Sequence, residues 1–261
     1  MWAQLTRPPR PIKELLATKD LARDSRFKFT TGDCFFDALS FLIDQSQPRH
    51  FSRSLRIMFA SWLNSSLISA GDPTDMAFDI LNRISSDDDA PSSLSAYLDA
   101  LSTPAASGGL WGDNSVASIA CMALGVNISI FVHDASGDTL IHNNYTKWPA
   151  DCGRFYLLFI GKTDGGHYEP LFGPDPMPSV ADIVRIHKLV SQARQLKPDD
   201  LLWRSEERLN VLHEHISNYM AIGMAFQTTD EIQGATARLM GFISADKTKS
   251  SLSHRRKKRK D

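Results

Sequence analysis

The chain has 261 residues, enough to bury a full hydrophobic core, and its 42% hydrophobic and 23% charged residues are usual for a globular protein. No apolar run approaches membrane-spanning length, and the N-terminus has neither the apolar core nor the cleavage site of a secretory signal. Six of the 29 basic residues lie in the tail HRRKKRKD; the rest of the chain holds 23 basic and 29 acidic residues, a net charge of −6. The body is therefore not expected to bind nucleic acid.

The first half of the chain is predicted to be mainly helical. A Pro-rich start is followed by a short amphipathic helix and then by one short strand, RFKFTT, at 26–31. Ser92 or Ser93 can cap a helix that ends near Leu101, and Asp113 is placed to cap the next one. The predicted helices cover 12–22, Cys34 to just before Pro48, 51–68, 74–84, 93–101 and a stretch from 114.

The second half changes to short segments rich in β-branched and aromatic residues, separated by Gly, Asp and Asn turns. They are VNISIFVH, DTLIHNNY, RFYLLFIG and HYEPLF. Helices followed by strands predict an α+β domain, with helices packed on a mostly antiparallel sheet. We expect an N-terminal extension over 1–22, this domain over 23–178, a helical extension over 179–248 and the basic tail over 249–261.

Cys34 stands where a predicted strand turns into a helix. Gly32 and Asp33 break the strand pattern, and apolar residues at Phe35, Ala38 and Leu39 follow at helical spacing. A sulfur at a helix N-terminus lies beside backbone N–H groups that have no partner within the helix, and these favour the nucleophilic thiolate. The three cysteines form no CxxC pair and no metal-ligand spacing, so we expect no disulfide, no metal and no cofactor.

His167, on the predicted last strand, is the candidate base for Cys34. Such a histidine takes the thiol proton, the thiolate attacks a carbonyl carbon, and the imidazolium protonates the leaving amine. Gly165 and Gly166 would let a substrate backbone pass close by. The backbone N–H groups of Cys34 and Asp33 are candidates for stabilising an oxyanion.

Three segments resemble motifs of the OTU (ovarian-tumour) family of cysteine proteases. The first is TGDCFFDALS around Cys34, and the last is HYEPL from His167. Between them, the block that contains Trp111 and Gly112 and runs into the strand NISIF resembles the central part of that family. The resemblance implies a papain-like OTU fold and a thiol protease that removes ubiquitin or a ubiquitin-like modifier from lysine side chains. Trp111 and Gly166 are candidates for the walls of the channel that takes the modifier's tail.

The chain departs from the family pattern at two positions near the cysteine. Thr31 stands where the family often has aspartate, and Asp33 replaces the usual asparagine, which puts a negative charge next to the sulfur. Glu169 offers compensation, because residues two apart in a strand share a face and its carboxylate can orient the imidazole of His167. A solvated strand carboxylate is the alternative interpretation of Glu169.

Three hypotheses follow. The first is an active deubiquitinase with Cys34, His167 and Glu169 as catalytic residues and ubiquitin or ubiquitin-like conjugates as partners. The second is a weakened OTU-like pseudo-enzyme that binds ubiquitin or another partner. The third gives the main role to the C-terminal helices and the basic tail, as a nucleic-acid or assembly module. We expect an intracellular protein with no membrane partner; the tail would contact an import receptor or RNA, or serve only as a solubilising end.

Overall fold

The computed structural model describes residues 11–28, 32–46, 51–68, 75–87, 91–133, 140–161, 166–196 and 241. They form a mixed α+β structure. The helices are α1 (Ile12–Ala17), α2 (Cys34–Ile43), α3 (Ser52–Ile68), α4 (Asp75–Ser86), α5 (Leu94–Ser102), α6 (Asn114–Leu124) and α7 (Val180–Gln195). The strands are β1 (Ala22–Arg23), β2 (Asn127–His133), β3 (Leu140–Tyr145), β4 (Arg154–Ile160) and β5 (His167–Phe172).

The five strands form one sheet in the order β1-β5-β4-β2-β3. The pairs β1–β5, β4–β5 and β2–β3 are antiparallel, whereas β2 and β4 run parallel. The sheet is therefore mixed, with antiparallel pairs in the majority, and the four strands predicted from the second half of the chain are confirmed.

The chain divides into two compact units, one of residues 1–55 and 120–190 and the other of residues 56–119 and 191–261. In the first unit, one face of the sheet is packed against α1. The buried residues of this cluster are Leu16, Leu21, Phe131, Tyr156, Leu158 and Leu171. On the other face, the ring of Phe35 in α2 meets Tyr168 of β5 edge-on, with 5.1 Å between ring centres. The sheet thus separates two apolar layers.

In the second unit, a buried arginine links a helix to a neighbouring helix and loop. Arg56, in α3, is 1% exposed, and its guanidinium donates to the backbone carbonyls of Leu101 at 3.3 Å and Leu110 at 2.9 Å. These bonds tie α3 to the end of α5 and to the loop that follows it. Ser93 caps α5 by accepting from the Ala96 N–H at 3.2 Å, and Asp113 caps α6 by accepting from Val116 at 2.7 Å. Both caps were predicted from the sequence, and the structure selects Ser93 over Ser92.

Three predicted boundaries are wrong. The helix predicted from Cys34 to just before Pro48 ends at Ile43, because Asp44 is extended and its side chain accepts from the Ser46 N–H at 2.9 Å, which makes a turn. The helix predicted over 12–22 ends at Ala17, because Asp20 adopts a left-handed conformation with φ 53° and the Leu21 N–H turns back to the Leu16 carbonyl. The strand predicted over 26–31 is not formed at 26–28. There Asp24 accepts from the backbone N–H of Arg26 at 2.8 Å and makes a turn, while residues 29–31 lie outside the described residues.

The domain boundaries expected at 22, 178 and 248 stay predictions. The helices expected beyond residue 196 and the basic tail lie outside the described residues. Within the part that is described, no helix is both long and apolar enough to cross a membrane. The same residues contain no group of three or more His, Cys, Asp or Glu that could hold a metal ion.

Candidate active site

Helix α2 begins at Cys34, as the sequence predicted. Gly32 precedes it with φ 88°, a conformation that other residues rarely adopt, so the tight turn into the helix depends on this glycine. Asp33 is the N-cap residue, but its side chain makes no capping hydrogen bond. Its backbone carbonyl makes the first hydrogen bond of the helix, accepting from the Asp37 N–H at 2.8 Å. The sulfur therefore sits in the first turn, among the backbone N–H groups of the helix start.

The Cys34 sulfur lies against the peptide group that links His167 to Tyr168. The pKa of Cys34 is raised by burial, and this rise is partly offset by the backbone N–H of Tyr168 and then by that of Phe35, both of which donate to the sulfur. Because the Tyr168 nitrogen is bonded directly to the carbonyl carbon of His167, the sulfur is next to the His167 backbone. The structure thus brings Cys34 to the start of β5.

The short strand β1 leaves room for this contact. It pairs with β5 only at Phe172 and Leu171, so among the described strands none pairs with β5 on that side at Tyr168. Backbone N–H groups of a strand point along the sheet, towards its neighbours. The Tyr168 N–H that acts on the Cys34 sulfur thus belongs to a part of β5 that β1 does not cover.

His167 and Glu169 are in contact. The two side chains share one face of β5, and the imidazole Nε2 lies 3.0 Å from Glu169 Oε1. In the neutral ring, this bond puts the proton on Nε2 and the lone pair on Nδ1. Nδ1 is then the nitrogen that can accept a proton, which is the arrangement that a base for Cys34 requires.

Arg23 also binds Glu169, a contact that the sequence did not reveal. Its Nε donates to Oε2 and its Nη2 to Oε1, both at 2.6 Å. The Glu169 side chain is 11% exposed and that of Arg23 is 45% exposed. Glu169 is thus not the solvated strand carboxylate of the alternative interpretation. A two-residue strand carries no sequence pattern, so nothing pointed to Arg23.

The thiolate expected from the helix terminus is not favoured here. Cys34 is 4% exposed, and burial together with the Asp37 carboxylate outweighs the N–H groups, so the pKa is raised rather than lowered. Asp37 is itself buried and accepts from the Ser52 hydroxyl at 2.6 Å. The carboxylate that acts on the sulfur is therefore Asp37, three residues along the helix, whereas the sequence had pointed to Asp33. Helical spacing from Cys34 is the signal that would have found it.

The expectation that the missing side chain of Gly166 lets a substrate backbone pass close by is wrong. A Cβ there would collide with the ring of Phe159 and with the Ile160 carbonyl, so the missing side chain makes room for β4 and not for a substrate. Gly165 and Thr31 lie outside the described residues. Trp111, the other candidate for a channel wall, belongs to the second unit and is 53% exposed.

A cavity of about 730 Å³ lies beside Glu169. Its walls come from α1, β1 and the turn after β1, and they combine apolar side chains with charged ones. They include Lys13, Leu16, Leu21, Arg23, Phe27 and Glu169. Both members of the Arg23–Glu169 pair therefore border the cavity, whereas His167 is not among the lining residues.

The chain was also compared with known proteins. No protein-family model matches it, and no curated protein matches it either. The resemblance to the OTU family therefore depends on the motifs around Cys34, Trp111 and His167.

Proposed function

We propose that this protein is an OTU-type, papain-like cysteine protease that removes ubiquitin or a ubiquitin-like modifier from conjugates. The observation that carries the proposal is the packing of the start of α2 on β5 next to His167, where the rings of Phe35 and Tyr168 lie 5.1 Å apart and the Tyr168 N–H acts on the Cys34 sulfur. The bond from His167 Nε2 to Glu169 supports it, because that bond leaves the lone pair on Nδ1. The proposal thus assigns the nucleophile, the base and the orienting carboxylate to residues at one end of β5 and at the helix start that packs against it.

The raised pKa of Cys34 selects a particular order of events. The resting cysteine is a neutral thiol, so Nδ1 of His167 removes its proton as the sulfur attacks the carbonyl carbon at the modifier's C-terminus. A C–S bond forms, the isopeptide C–N bond breaks, and the imidazolium gives its proton to the leaving lysine amine. Water then hydrolyses the thioester, with His167 again as the base. One water is consumed per bond cleaved.

The first turn of α2 offers the groups that would bind the oxyanion. The Phe35 N–H already acts on the sulfur, and the N–H of Cys34 lies next to it at the start of the helix. When the sulfur becomes bonded to carbon, the negative charge moves to the former carbonyl oxygen next to it. N–H groups of a helix start are suitable donors for that charge.

A second candidate function is a pseudo-enzyme that binds ubiquitin without cleaving it. The observation in its favour is the burial of Cys34, which is 4% exposed. An attacking sulfur needs access to a carbonyl carbon, and a closed thiol provides less of it. Binding would then persist in Cys34→Ala, with no cleavage even by the wild type.

A ubiquitin probe with a C-terminal electrophile tests the proposal. The wild type is expected to form a covalent adduct that Cys34→Ala abolishes, and His167→Gln is expected to slow it by at least about a hundredfold. Cys152→Ala is the matched control, since Cys152 is a free, partly exposed cysteine that belongs to neither β5 nor α2. A folded wild type that binds ubiquitin but forms no adduct would replace the proposal with the second candidate.

A further inference from the structure

Arg23, Glu169 and His167 form a continuous chain of hydrogen bonds. The guanidinium holds both carboxylate oxygens at 2.6 Å, and one of these oxygens, Oε1, is 3.0 Å from the imidazole Nε2. We propose that Arg23 is a positioning residue for the active site, which sets the direction of His167 through Glu169. The inference rests on the proposed function, because it assigns a role within the same reaction.

Glutamate needs such a partner more than a shorter acid would. Its side chain has one more rotatable bond than aspartate, and the cavity beside it leaves space for other rotamers. A planar guanidinium that grips both oxygens fixes the plane of the carboxylate as well as its position. Arg23 thereby selects the single rotamer in which Oε1 faces the imidazole.

The sheet register places Arg23 where it can do this. Arg23 pairs with Leu171, so Glu169 is its diagonal neighbour on the adjacent strand. Diagonal neighbours in a sheet are within reach of long side chains. The described hydrogen bonds of the Arg23 side chain both go to Glu169, so we expect its effect on the reaction to pass through that carboxylate.

Arg23 also reduces the negative charge that Glu169 presents to the imidazole. The same oxygen, Oε1, accepts from both Arg23 and His167, so part of its negative charge is already compensated. Glu169 then orients the ring and holds the proton on Nε2, without acting as a fully charged neighbour. Because the Arg23 side chain is 45% exposed, the pair adds little to folding, and the principal effect of Arg23 is on geometry.

The rate constant of adduct formation with the ubiquitin probe tests the inference. Arg23→Met is expected to lower it on the order of tenfold, and Arg23→Lys to restore only part of the loss, since an ammonium group does not grip both oxygens. Arg26→Met is the matched control. Arg26 is three residues away and is paired with Asp24 instead of Glu169, so its replacement should leave the rate unchanged.

A double-mutant cycle separates positioning from a general structural effect. In a Glu169→Gln background, Arg23→Met is expected to cause no further loss, because the path through the carboxylate is already broken. A loss of equal size in both backgrounds would overturn the inference, as would a wild-type rate in Arg23→Met. If Arg23→Met does not fold, Arg23→Gln takes its place in the same cycle.

A second measurement does not depend on catalysis. In Cys34→Ala, which cannot react, the Nε2 proton of His167 should be protected from solvent exchange and visible by NMR, and Arg23→Met should remove that protection. Retained protection would overturn the inference even if the rate fell. A wild type that forms no adduct would contradict the proposed function, while this NMR comparison would still decide the role of Arg23.

Discussion

At the scale of single residues, the central fact is that two opposing influences act on the Cys34 sulfur. Burial and the Asp37 carboxylate raise its pKa, and the N–H groups of Tyr168 and Phe35 lower it, with burial the largest of these. The outcome is a thiol that stays protonated until a base removes its proton. Such a cysteine is protected from indiscriminate alkylation and oxidation, because the thiolate is the reactive form.

This balance predicts how alkylation of Cys34 depends on pH. Its rate of reaction with iodoacetamide should keep increasing past pH 9.0, the ordinary pKa of a thiol, with no plateau at neutral pH. Asp37→Asn should shift the profile to lower pH, because it removes a negative charge near the sulfur. Peptide mass spectrometry after timed alkylation measures this, with Cys121, whose pKa burial raises to about 11, as an unreactive internal reference.

A plateau at or below neutral pH would contradict this prediction. It would mean that Cys34 and His167 form a thiolate–imidazolium pair in the resting protein. An unchanged profile in Asp37→Asn would mean that the Asp37 carboxylate does not act on the sulfur.

The residues of the candidate site differed in how well the sequence could reveal them. Cys34 was found because it opens a helix, and Glu169 because it is two residues from His167 on one strand. Asp37 was passed over although its helical spacing from Cys34 could be read from the sequence, because a single helix carboxylate is most often exposed and Asp37 is buried. Arg23 is separated from Glu169 by 146 positions and could be placed only by the strand pairing.

At the scale of elements, the shortness of β1 leaves part of the neighbouring strand β5 without a strand partner on that side among the described strands. The sequence predicted a strand at 26–31, but Asp24 bends the chain by binding the Arg26 backbone N–H, and the strand ends at Arg23. Periodicity identified the other strands and most helices, because burial enforces a repeat of two or of 3.6 residues. It failed here because a single bond between a side chain and the backbone decided the conformation.

Helix α5 offers a clean test at this scale. Ser93 accepts from the Ala96 N–H, so Ser93→Ala should cost about 1 kcal/mol of the free energy of unfolding. Ser92→Ala is the matched control, because Ser92 is exposed and lies one position outside the cap, and it should leave stability within about 0.5 kcal/mol. Urea denaturation followed by circular dichroism measures both. Equal losses in the two variants would contradict the assigned cap.

At the scale of the whole molecule, each unit buries a tyrosine hydroxyl that is held neutral. In the first unit, burial and then the hydrogen bond to Asp175, at 2.5 Å, raise the pKa of Tyr156 to about 12. In the second unit, burial and the nearby Asp113 carboxylate raise the pKa of Tyr97 well above its ordinary value. Unfolding exposes both groups to water, where they titrate near pH 10.

Stability is therefore expected to decline in alkaline solution. A tyrosine whose pKa is higher in the folded protein keeps its proton when the unfolded chain has lost it, so its contribution is complete below pH 10. For Tyr156 that contribution is lost as the pH rises from 10 to about 12.

The two tyrosines should nevertheless respond differently to replacement by phenylalanine at neutral pH. Tyr156→Phe loses the bond to Asp175 and should cost about 1 kcal/mol.

Tyr97→Phe should instead leave stability unchanged or raise it at neutral pH, since among the described residues the Tyr97 hydroxyl has no hydrogen-bond partner and its burial carries a desolvation cost. Both variants should flatten the decline above pH 10, because each removes a group that ionises more readily in the unfolded chain. Urea midpoints measured from neutral pH to pH 11 check this. An alkaline decline as steep as that of the wild type in both variants would show that neither tyrosine is held neutral by the fold.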